Sequence, residues 1–318
     1  MKVHRCLFVV ATLILSMPCA VEAQTYPDRH IKIVVPLTAG SPVTVIARVV
    51  TSELSSRLGQ TVIIDNQPGG GSIIGTKAVA RSNPDGYTLL FAAVSHVISP
   101  ALRSDAGYDP IKDFAPIAVT GASSWVMVVA PSVPAKTLSE FVAYAKENPG
   151  KLNFGFGTGT GPHLIGEMFK KETGTDIADI NYKGGAGAIT DMLGGRIQLN
   201  FGTIATLLPL IQSGKVRALA VTSKNRSHDL PDVPTMIESG YPRLTYSLWT
   251  GLLAPAGTPV DIINKVNAAI NESVKSESIS GKLSKLGVQA ETGSPEDFRA
   301  LIAKDQAGWA AMAKSAGY

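Results

Sequence analysis

The chain alternates short apolar runs with amphipathic stretches over most of its length. Residues 31–37 are rich in β-branched apolar side chains, which is typical of a strand, and residues 44–58 place apolar side chains near helical spacing. This pattern predicts a first βα unit. The alternation continues with predicted strands over 62–64 and 87–94 and a helix around 75–81. We therefore expect a parallel or mixed sheet with helices on both faces.

A second α/β set is predicted after an apolar run at 125–130. Thr137 and Glu140 have the spacing of a capping box, which marks the start of a helix. The elements expected next are strands over 152–156, 177–182, 197–201 and 216–222, with helices over 162–173, 186–193 and 205–213. After an apolar run at 249–254 the chain is mainly helical, with helices expected over 259–275, 278–286 and 295–314.

The runs at 125–130 and 249–254 are each followed by proline, and they flank the second α/β set. This repetition predicts two crossings between two lobes, with a cleft between them. The length of 318 residues is enough for two domains of about 150 residues. We expect residues 24–124 and 245–318 to form lobe 1 and residues 125–244 to form lobe 2.

The first 23 residues are predicted to be a secretory signal that is removed on export. Lys2 and Arg5 precede an uninterrupted run of apolar or small residues, and residues 21–23 have the small-residue pattern of a cleavage site. We expect a mature protein that starts near Gln24 and lies in the periplasm of a Gram-negative cell.

Composition narrows the class of protein further. With 45% hydrophobic and 17% charged residues, the chain does not fit disordered, collagen-like or coiled-coil classes. Lys2, Arg5 and Glu22 lie in the predicted signal, so 27 of 29 basic and 24 of 25 acidic residues remain, a net charge of +3 too small to imply nucleic acid. Both cysteines, Cys6 and Cys19, also lie there, which excludes a disulfide or a cysteine nucleophile from the mature chain.

Three predicted loops follow strands, at 36–44, 92–96 and 155–163, on the sheet edge where open α/β folds bind ligands. The first and third open a helix, where free amide groups and small hydroxyl side chains favour an anion such as a carboxylate. For any one loop, glycines and hydroxyls that only form turns and caps are the alternative. Two such loops, one in each lobe, favour a ligand cleft.

No motif for catalysis, metal binding or nucleotide binding is complete. A Gly-x-Ser-x-Gly elbow and paired histidines at metal spacing are both absent from the sequence. His96 and His163 lie in the candidate loops, with a satisfied structural histidine and a helix-capping role as the respective alternatives. We predict no catalytic residue, no metal and no cofactor. A secreted α/β hydrolase is a competing hypothesis, but the sequence offers it no activated nucleophile.

Short motifs along the mature chain carry a resemblance to a known family. They include Asp-Asn-Gln-Pro-Gly at 65–69, Pro-Asp-Gly-Tyr-Thr-Leu-Leu at 84–90, Lys-Asp-Phe-Ala-Pro at 112–116, Tyr-Lys-Gly-Gly at 182–185, Arg-Ala-Leu-Ala-Val-Thr at 217–222 and Leu-Pro-Asp-Val-Pro-Thr at 230–235. In number, order and spacing they resemble the periplasmic solute-binding proteins of tripartite tricarboxylate transporters, also called Bug-type receptors.

The resemblance implies an α/β, two-lobed periplasmic-binding-protein fold of type II, a "Venus flytrap" with a mixed sheet in each lobe and two crossover strands. It implies a receptor and not an enzyme. The receptor would present a small organic carboxylate, a di- or tricarboxylate or an aromatic carboxylate, to a permease of one large and one small subunit. A sensor that signals to a membrane protein is the alternative. We expect a monomer that binds no nucleic acid.

In the family, a ligand carboxylate is held between the loop after the first strand and the glycine-rich loop of the second lobe. These two loops are carried onto this chain by position. A third cleft segment and residues at or just after the ends of two later strands complete the set of candidate ligand-binding residues. They are Leu37, Thr38, Ala39, Gly40, Ser41, Thr44, Ser95, His96, Thr158, Gly159, Thr160, His163, Tyr182, Gly202 and Thr203.

Two positions depart from the family pattern. Thr44 stands where the first loop usually has Asp, and Gly202 stands where Asp is common after a later strand. The ammonium group of an amino acid needs a nearby carboxylate as its partner, and both family acids are replaced here. We therefore expect the site not to bind amino acids. It should suit a ligand that is wholly anionic, or a carboxylate with an apolar part. Gly202 is also expected to leave room for a larger ring.

Overall fold

A computed structural model of the chain describes residues 26–157, 160–182, 185–315 and 317. The elements, in chain order, are β1 (Ile31–Val35), α1 (Pro42–Thr51), α2 (Leu54–Leu58), β2 (Val62–Asn66), α3 (Ile73–Ala80), β3 (Thr88–Ala93), α4 (Ser95–Leu102), β4 (Phe114–Ser123), β5 (Trp125–Val129), α5 (Leu138–Glu147), β6 (Asn153–Gly157), α6 (Gly161–Thr173), β7 (Ala178–Tyr182), α7 (Gly185–Leu193), β8 (Leu199–Thr203), α8 (Ile204–Gln212), β9 (Arg217–Val221), a 3-10 turn (Pro242–Leu244), β10 (Leu248–Pro255), α9 (Val260–Lys275), α10 (Glu277–Lys285), β11 (Gln289–Ala290) and α11 (Pro295–Ser315).

The strands form two mixed sheets, which define the two lobes. Lobe 1 contains the six-stranded sheet in the order β11-β4-β10-β3-β1-β2, where β1 is parallel to β2 and β3, and β10 is antiparallel to β3 and β4. Lobe 2 contains the five-stranded sheet in the order β7-β6-β8-β5-β9, where β6 is parallel to β7 and β8, and β5 is antiparallel to β8 and β9. The predicted fold class is confirmed.

The chain crosses between the lobes through two segments that lie side by side. The first crossing is abrupt, because β4 ends at Ser123 and β5 begins at Trp125. The return runs from β9 to β10. The buried Thr222 hydroxyl joins the two segments: it accepts from the Trp125 amide at 3.2 Å and donates to the Tyr246 carbonyl at 2.8 Å. The two connections therefore form one hydrogen-bonded hinge region.

Helix α11 ties the two lobes together. It packs against α4 and β4 of lobe 1 and against α6 of lobe 2. Near its end, the fully buried Trp309 meets Trp125 edge to face, with ring centroids 5.9 Å apart, and Tyr246 at 4.8 Å. Within the described residues, the helices are too short or too polar to cross a membrane.

Several element boundaries differ from the predictions. The helix expected over 44–58 is two helices, since α1 ends at Thr51 and α2 covers only Leu54–Leu58. The prediction of a loop over 92–96 is wrong at its C-terminal end, because α4 begins at Ser95. That helix has only eight residues and contains Pro100, a residue that normally interrupts helices, so the sequence did not predict it. Strand β4 was not predicted either.

Candidate ligand-binding site

A cavity of about 560 Å³ lies between the lobes, within the usual range for small-molecule sites. Lobe 1 supplies the loop after β1, the start of α3 and much of α4, while lobe 2 supplies parts of β5, β6, α6 and β8. The lining residues are Leu37, Gly70, Gly71, Ser72, Val94, Ser95, Ile98, Ser99, Leu102, Arg103, Trp125, Phe156, Gly157, Thr160, Gly161, Pro162, Asn200, Phe201, Thr203 and Leu248.

Among the described residues, four helices begin at positions that line this cavity, two from each lobe. Ser72 and Ser95 stand at the starts of α3 and α4, and Thr160 and Thr203 are the N-caps of α6 and α8. The first amide groups of a helix have no partner within the helix, and they carry partial positive charge. An anion in the cavity would therefore meet positive helix ends from both lobes.

A cluster of serine hydroxyls lies on the lobe 1 side. Ser72 is buried and has a φ of +80°, a left-handed conformation that costs energy for any residue with a side chain. Its Oγ lies 3.0 Å from the Oγ of Ser95. The Ser99 hydroxyl donates to the carbonyl of Gly71. Ser72 and Ser99 are not among the residues predicted from the sequence. The three glycines at 69–71, directly before Ser72, were the available signal.

Large apolar side chains make up much of the remaining wall. Leu37, Val94, Ile98 and Leu102 come from lobe 1, and Trp125, Phe156 and Phe201 from lobe 2, with Leu248 at the start of β10. In the described lining the only charged side chain is Arg103, whose guanidinium is bonded to Asp105 at 3.0 and 2.9 Å. The arrangement can hold an anion at the helix ends and an apolar group against the wall.

Thr44 holds the first candidate loop, residues 36–44, in its conformation. Its side chain is buried and does not line the cavity. Its Oγ1 donates to the Thr38 carbonyl at 3.0 Å and accepts from Nδ2 of Asn66 at 2.9 Å. The same Asn66 nitrogen donates to the Leu37 carbonyl at 2.9 Å. Ser41 caps α1 by accepting from the Thr44 amide. Of this loop only Leu37 lines the cavity, whereas Thr38, Ala39 and Gly40 are exposed to solvent.

The two candidate histidines lie in the cores of the lobes and do not line the cavity. His96 packs against Tyr108 and Phe114, and its Nε2 lies 3.0 Å from the Pro110 carbonyl. Burial lowers the pKa of His96 to about 4, so the ring is neutral at pH 7 and donates this bond. His163 stacks on Phe156 at 4.2 Å, and burial lowers its pKa as well.

Comparison with known proteins identifies the family. The model of the TctC family, described as the tripartite tricarboxylate transporter family receptor, matches residues 46–318. The chain belongs to this receptor family. It is 35% identical over 322 residues to Protein BugT of Bordetella pertussis, a match that covers 100% of this chain and 99% of that protein.

Solved structures that are similar to this chain agree with this family assignment. The periplasmic binding protein BugD is 34% identical with a TM-score of 0.70, covering 92% of this chain and 99% of that one. R. palustris Rpa4515 with adipate is 33% identical with a TM-score of 0.73, covering 92% and 98%. MatC from Rhodopseudomonas palustris with bound malate is 29% identical with a TM-score of 0.71, covering 91% and 100%.

The remaining candidate residues of the receptor divide into three groups. Ser95, Thr160 and Thr203 join Leu37 in lining the cavity. Tyr182 does not line it, and its hydroxyl donates instead to Asp191 at 2.6 Å. Thr158 and Gly159 lie outside the described residues.

The expected role of Gly202 in leaving room for a ring requires correction. A Cβ at this position would lie 2.6 Å from Cδ1 of Leu207, a buried residue of α8. The space beside Gly202 is therefore occupied by the protein's own core and not by a ligand. In the described ranges, no three His, Cys, Asp or Glu side chains gather into a group that could hold a metal ion.

Proposed function

We propose that this chain is a periplasmic receptor, without enzymatic activity, that binds a small organic carboxylate between its lobes. It then delivers this ligand to the large and small membrane subunits of a tripartite tricarboxylate transporter. The observation that carries the proposal is the convergence of helix starts from both lobes on a cavity with no acidic side chain in its described lining. A ligand that contacts both walls favours the closed form of a hinged protein.

Family membership and the ligands of related structures support the same function. The relatives at 33% and 29% identity were solved with adipate and with bound malate, respectively. Both are carboxylates, which fits the helix ends described above. The predicted signal at residues 1–23 supports export to the periplasm, although it lies outside the described residues.

Binding is tested by thermal unfolding of the mature protein from Gln24, refolded to remove bound ligand. The panel contains di- and tricarboxylates, aromatic carboxylates, amino acids and neutral sugars. A ligand at 100 times its dissociation constant adds about 2.7 kcal/mol of stability, enough for a clear rise in Tm. Stabilisation by a carboxylate supports the proposal. Stabilisation only by sugars would contradict it, and stabilisation only by aspartate or glutamate would overturn the interpretation of Thr44 and Gly202.

A cleft-filling variant links any observed binding to this cavity. Leu37→Trp enlarges a half-buried lining residue and should abolish the rise in Tm caused by the ligand. Ile237→Trp makes the same kind of change at an exposed position outside the cavity lining and should leave the rise unchanged. Equal responses of the two variants would place the ligand elsewhere.

Delivery is tested separately from binding. Membrane vesicles that contain the large and small subunits should accumulate radiolabelled ligand only when the receptor is added. Addition of Leu37→Trp receptor should give no accumulation. Uptake that proceeds equally without receptor would contradict delivery and leave the binding function standing.

A further inference from the structure

The charged side chains that line the cavity limit how many charged groups of a ligand the cavity can neutralise. Arg103 is the only charged side chain in its described lining, and it is already paired with Asp105. The side chains of this pair are 49% and 70% exposed, so the pair is a solvated one at the surface. Within the described lining, no buried cation is therefore available to neutralise a second anionic group. The helix starts also offer fewer free amides than their number suggests, because the caps of α6 and α8 already accept from the His163 and Thr206 amides.

Two of the lining hydroxyls have already used their hydrogen atoms. Ser99 donates to the Gly71 carbonyl, and Thr160 donates to the Gly157 carbonyl at 2.7 Å. A hydroxyl group has one hydrogen to donate. These two side chains can therefore accept a hydrogen bond from a ligand but cannot donate one to it in this arrangement.

The other polar side chains keep few donors. Ser72 and Ser95 share one hydrogen bond at 3.0 Å, and Thr203 shares one with Thr206 at 2.8 Å, so each pair retains one hydroxyl hydrogen. Asn200 spends one amide hydrogen on the Gly155 carbonyl at 2.7 Å and retains the other. These scattered neutral donors can complete the shell of one carboxylate that sits at the helix ends, but they do not form a second anion site.

The rest of the wall is apolar and held rigidly. Phe156 and Phe201 are both buried and in ring contact with Phe154, at 4.9 and 6.0 Å. Trp125 is fixed by Trp309. A carboxylate pressed against these rings would lose its water without gaining partners. An apolar group there gains about fourfold in affinity for each methylene it buries.

From these observations we infer that the receptor takes a monocarboxylate with an apolar body, and that a second carboxylate on the ligand weakens binding. The inference rests on the proposed function and narrows its ligand class. It also separates this chain from the relatives described with malate and adipate, which are dicarboxylates.

Two matched ligand pairs test the inference. Hexanoate and adipate share a six-carbon chain, and 4-methylbenzoate and terephthalate share a para-substituted ring. In each pair, the monoacid has a methyl group where the diacid has its second carboxylate. Their dissociation constants are measured by calorimetry on the refolded wild-type protein at pH 7 and one fixed ionic strength. In whichever pair binds, we expect the monoacid to bind at least tenfold more tightly.

A positive charge placed on the apolar wall should remove this preference. Leu102→Lys puts a cation at a lining residue of α4 and should shift the monoacid-to-diacid ratio at least tenfold toward the diacid. Val260→Lys adds the same cation at a position of α9 that is 70% exposed and outside the cavity lining, and it should leave the ratio unchanged. If Leu102→Lys fails to fold, the wild-type ratio alone decides.

The outcomes separate the inference from the proposed function. Adipate or terephthalate binding as tightly as its monoacid would overturn the inference and leave a carboxylate receptor. Failure of all four acids and of the wider carboxylate panel to bind would overturn both. A preference for the monoacid that is lost in Leu102→Lys and kept in Val260→Lys supports the inference.

Discussion

In lobe 1 the cavity wall carries the serine hydroxyls, whereas in lobe 2 it carries three aromatic rings. The polar groups of lobe 1 are bonded mostly to one another, as in the pair Ser72 and Ser95. The rings of lobe 2 continue into its core, because Phe201 also contacts Phe169 at 6.2 Å. The difference teaches that the two walls respond differently to mutation: the rings of the lobe 2 wall are part of the core of that lobe, whereas the serines of the lobe 1 wall join the starts of two helices.

The largest contrast is expected from truncating one apolar residue in each wall. Phe201→Ala leaves a cavity in the lobe 2 core and should lower the free energy of unfolding by about 3–5 kcal/mol. Leu37→Ala removes a half-buried side chain from lobe 1 and should cost only about 1 kcal/mol. Guanidinium unfolding of both variants measures the difference. Equal costs would show that the two walls are built alike.

A pH-dependent contrast comes next in size, at the tryptophan buried in lobe 1. Trp249 donates its Nε1 hydrogen to Asp305 of α11 at 2.8 Å, unlike the lobe 2 rings, which pack against other rings. Burial raises the pKa of Asp305 from 3.8 to about 6, partly offset by that hydrogen bond. The folded state therefore binds this proton more tightly than the unfolded state. The contribution of Asp305 to the free energy of unfolding is therefore fully present below pH 4. It falls by about 2–3 kcal/mol as the pH rises through 6.

The variant Asp305→Asn isolates this effect, because asparagine cannot titrate but can still accept the hydrogen bond from Trp249. The free energy of unfolding of the variant relative to wild type should rise by about 2–3 kcal/mol between pH 4 and pH 7. A relative stability that stays constant over this range would mean that the carboxyl group is not desolvated.

The third test concerns the contact between the α6 start and the lobe 2 wall. A Cβ at Gly161 would lie 2.5 Å from Cζ2 of Trp125, so Gly161→Ala should destabilise the protein by about 1–3 kcal/mol and weaken ligand binding. Gly281→Ala is the matched control, since Gly281 lies inside α10 with nothing near its Cβ position. It should stabilise the protein by about 0.5–1 kcal/mol. Thermal unfolding of the two variants should give changes of opposite sign.

The smallest effect is expected from removing one hydroxyl on each side. Thr44→Val deprives the Thr38 carbonyl of its donor in a buried network and should cost about 1–2 kcal/mol. Thr206→Val removes an exposed hydroxyl from lobe 2 and should change stability by less than about 0.5 kcal/mol. Urea unfolding distinguishes the two. A neutral Thr44→Val would show that the network does not hold the first loop.

Local signals in the sequence determined most of the elements, because capping and periodicity act over a few residues. Thr137 accepts from the Glu140 amide at 3.2 Å, as the predicted cap requires, although the Glu140 carboxylate bonds the amide of Lys136 and not that of Thr137. Helix α11 begins at Pro295, where the predicted helix begins, and Ser294 caps it by accepting from the Asp297 amide at 3.1 Å. The alternation of strands and helices likewise gave the mixed sheets, since parallel strands need helical crossovers.

Tertiary structure alone decided which side chains line the cavity. Ser95 and His96 are neighbours in the sequence, yet Ser95 lines the cavity and His96 is buried on Tyr108 and Phe114. Successive side chains of a helix point about 100° apart, so the packing of α4 fixes which one faces inward. Gly202 gives the same lesson. Its need for glycine comes from Leu207, a contact that exists only once α8 has docked on the sheet.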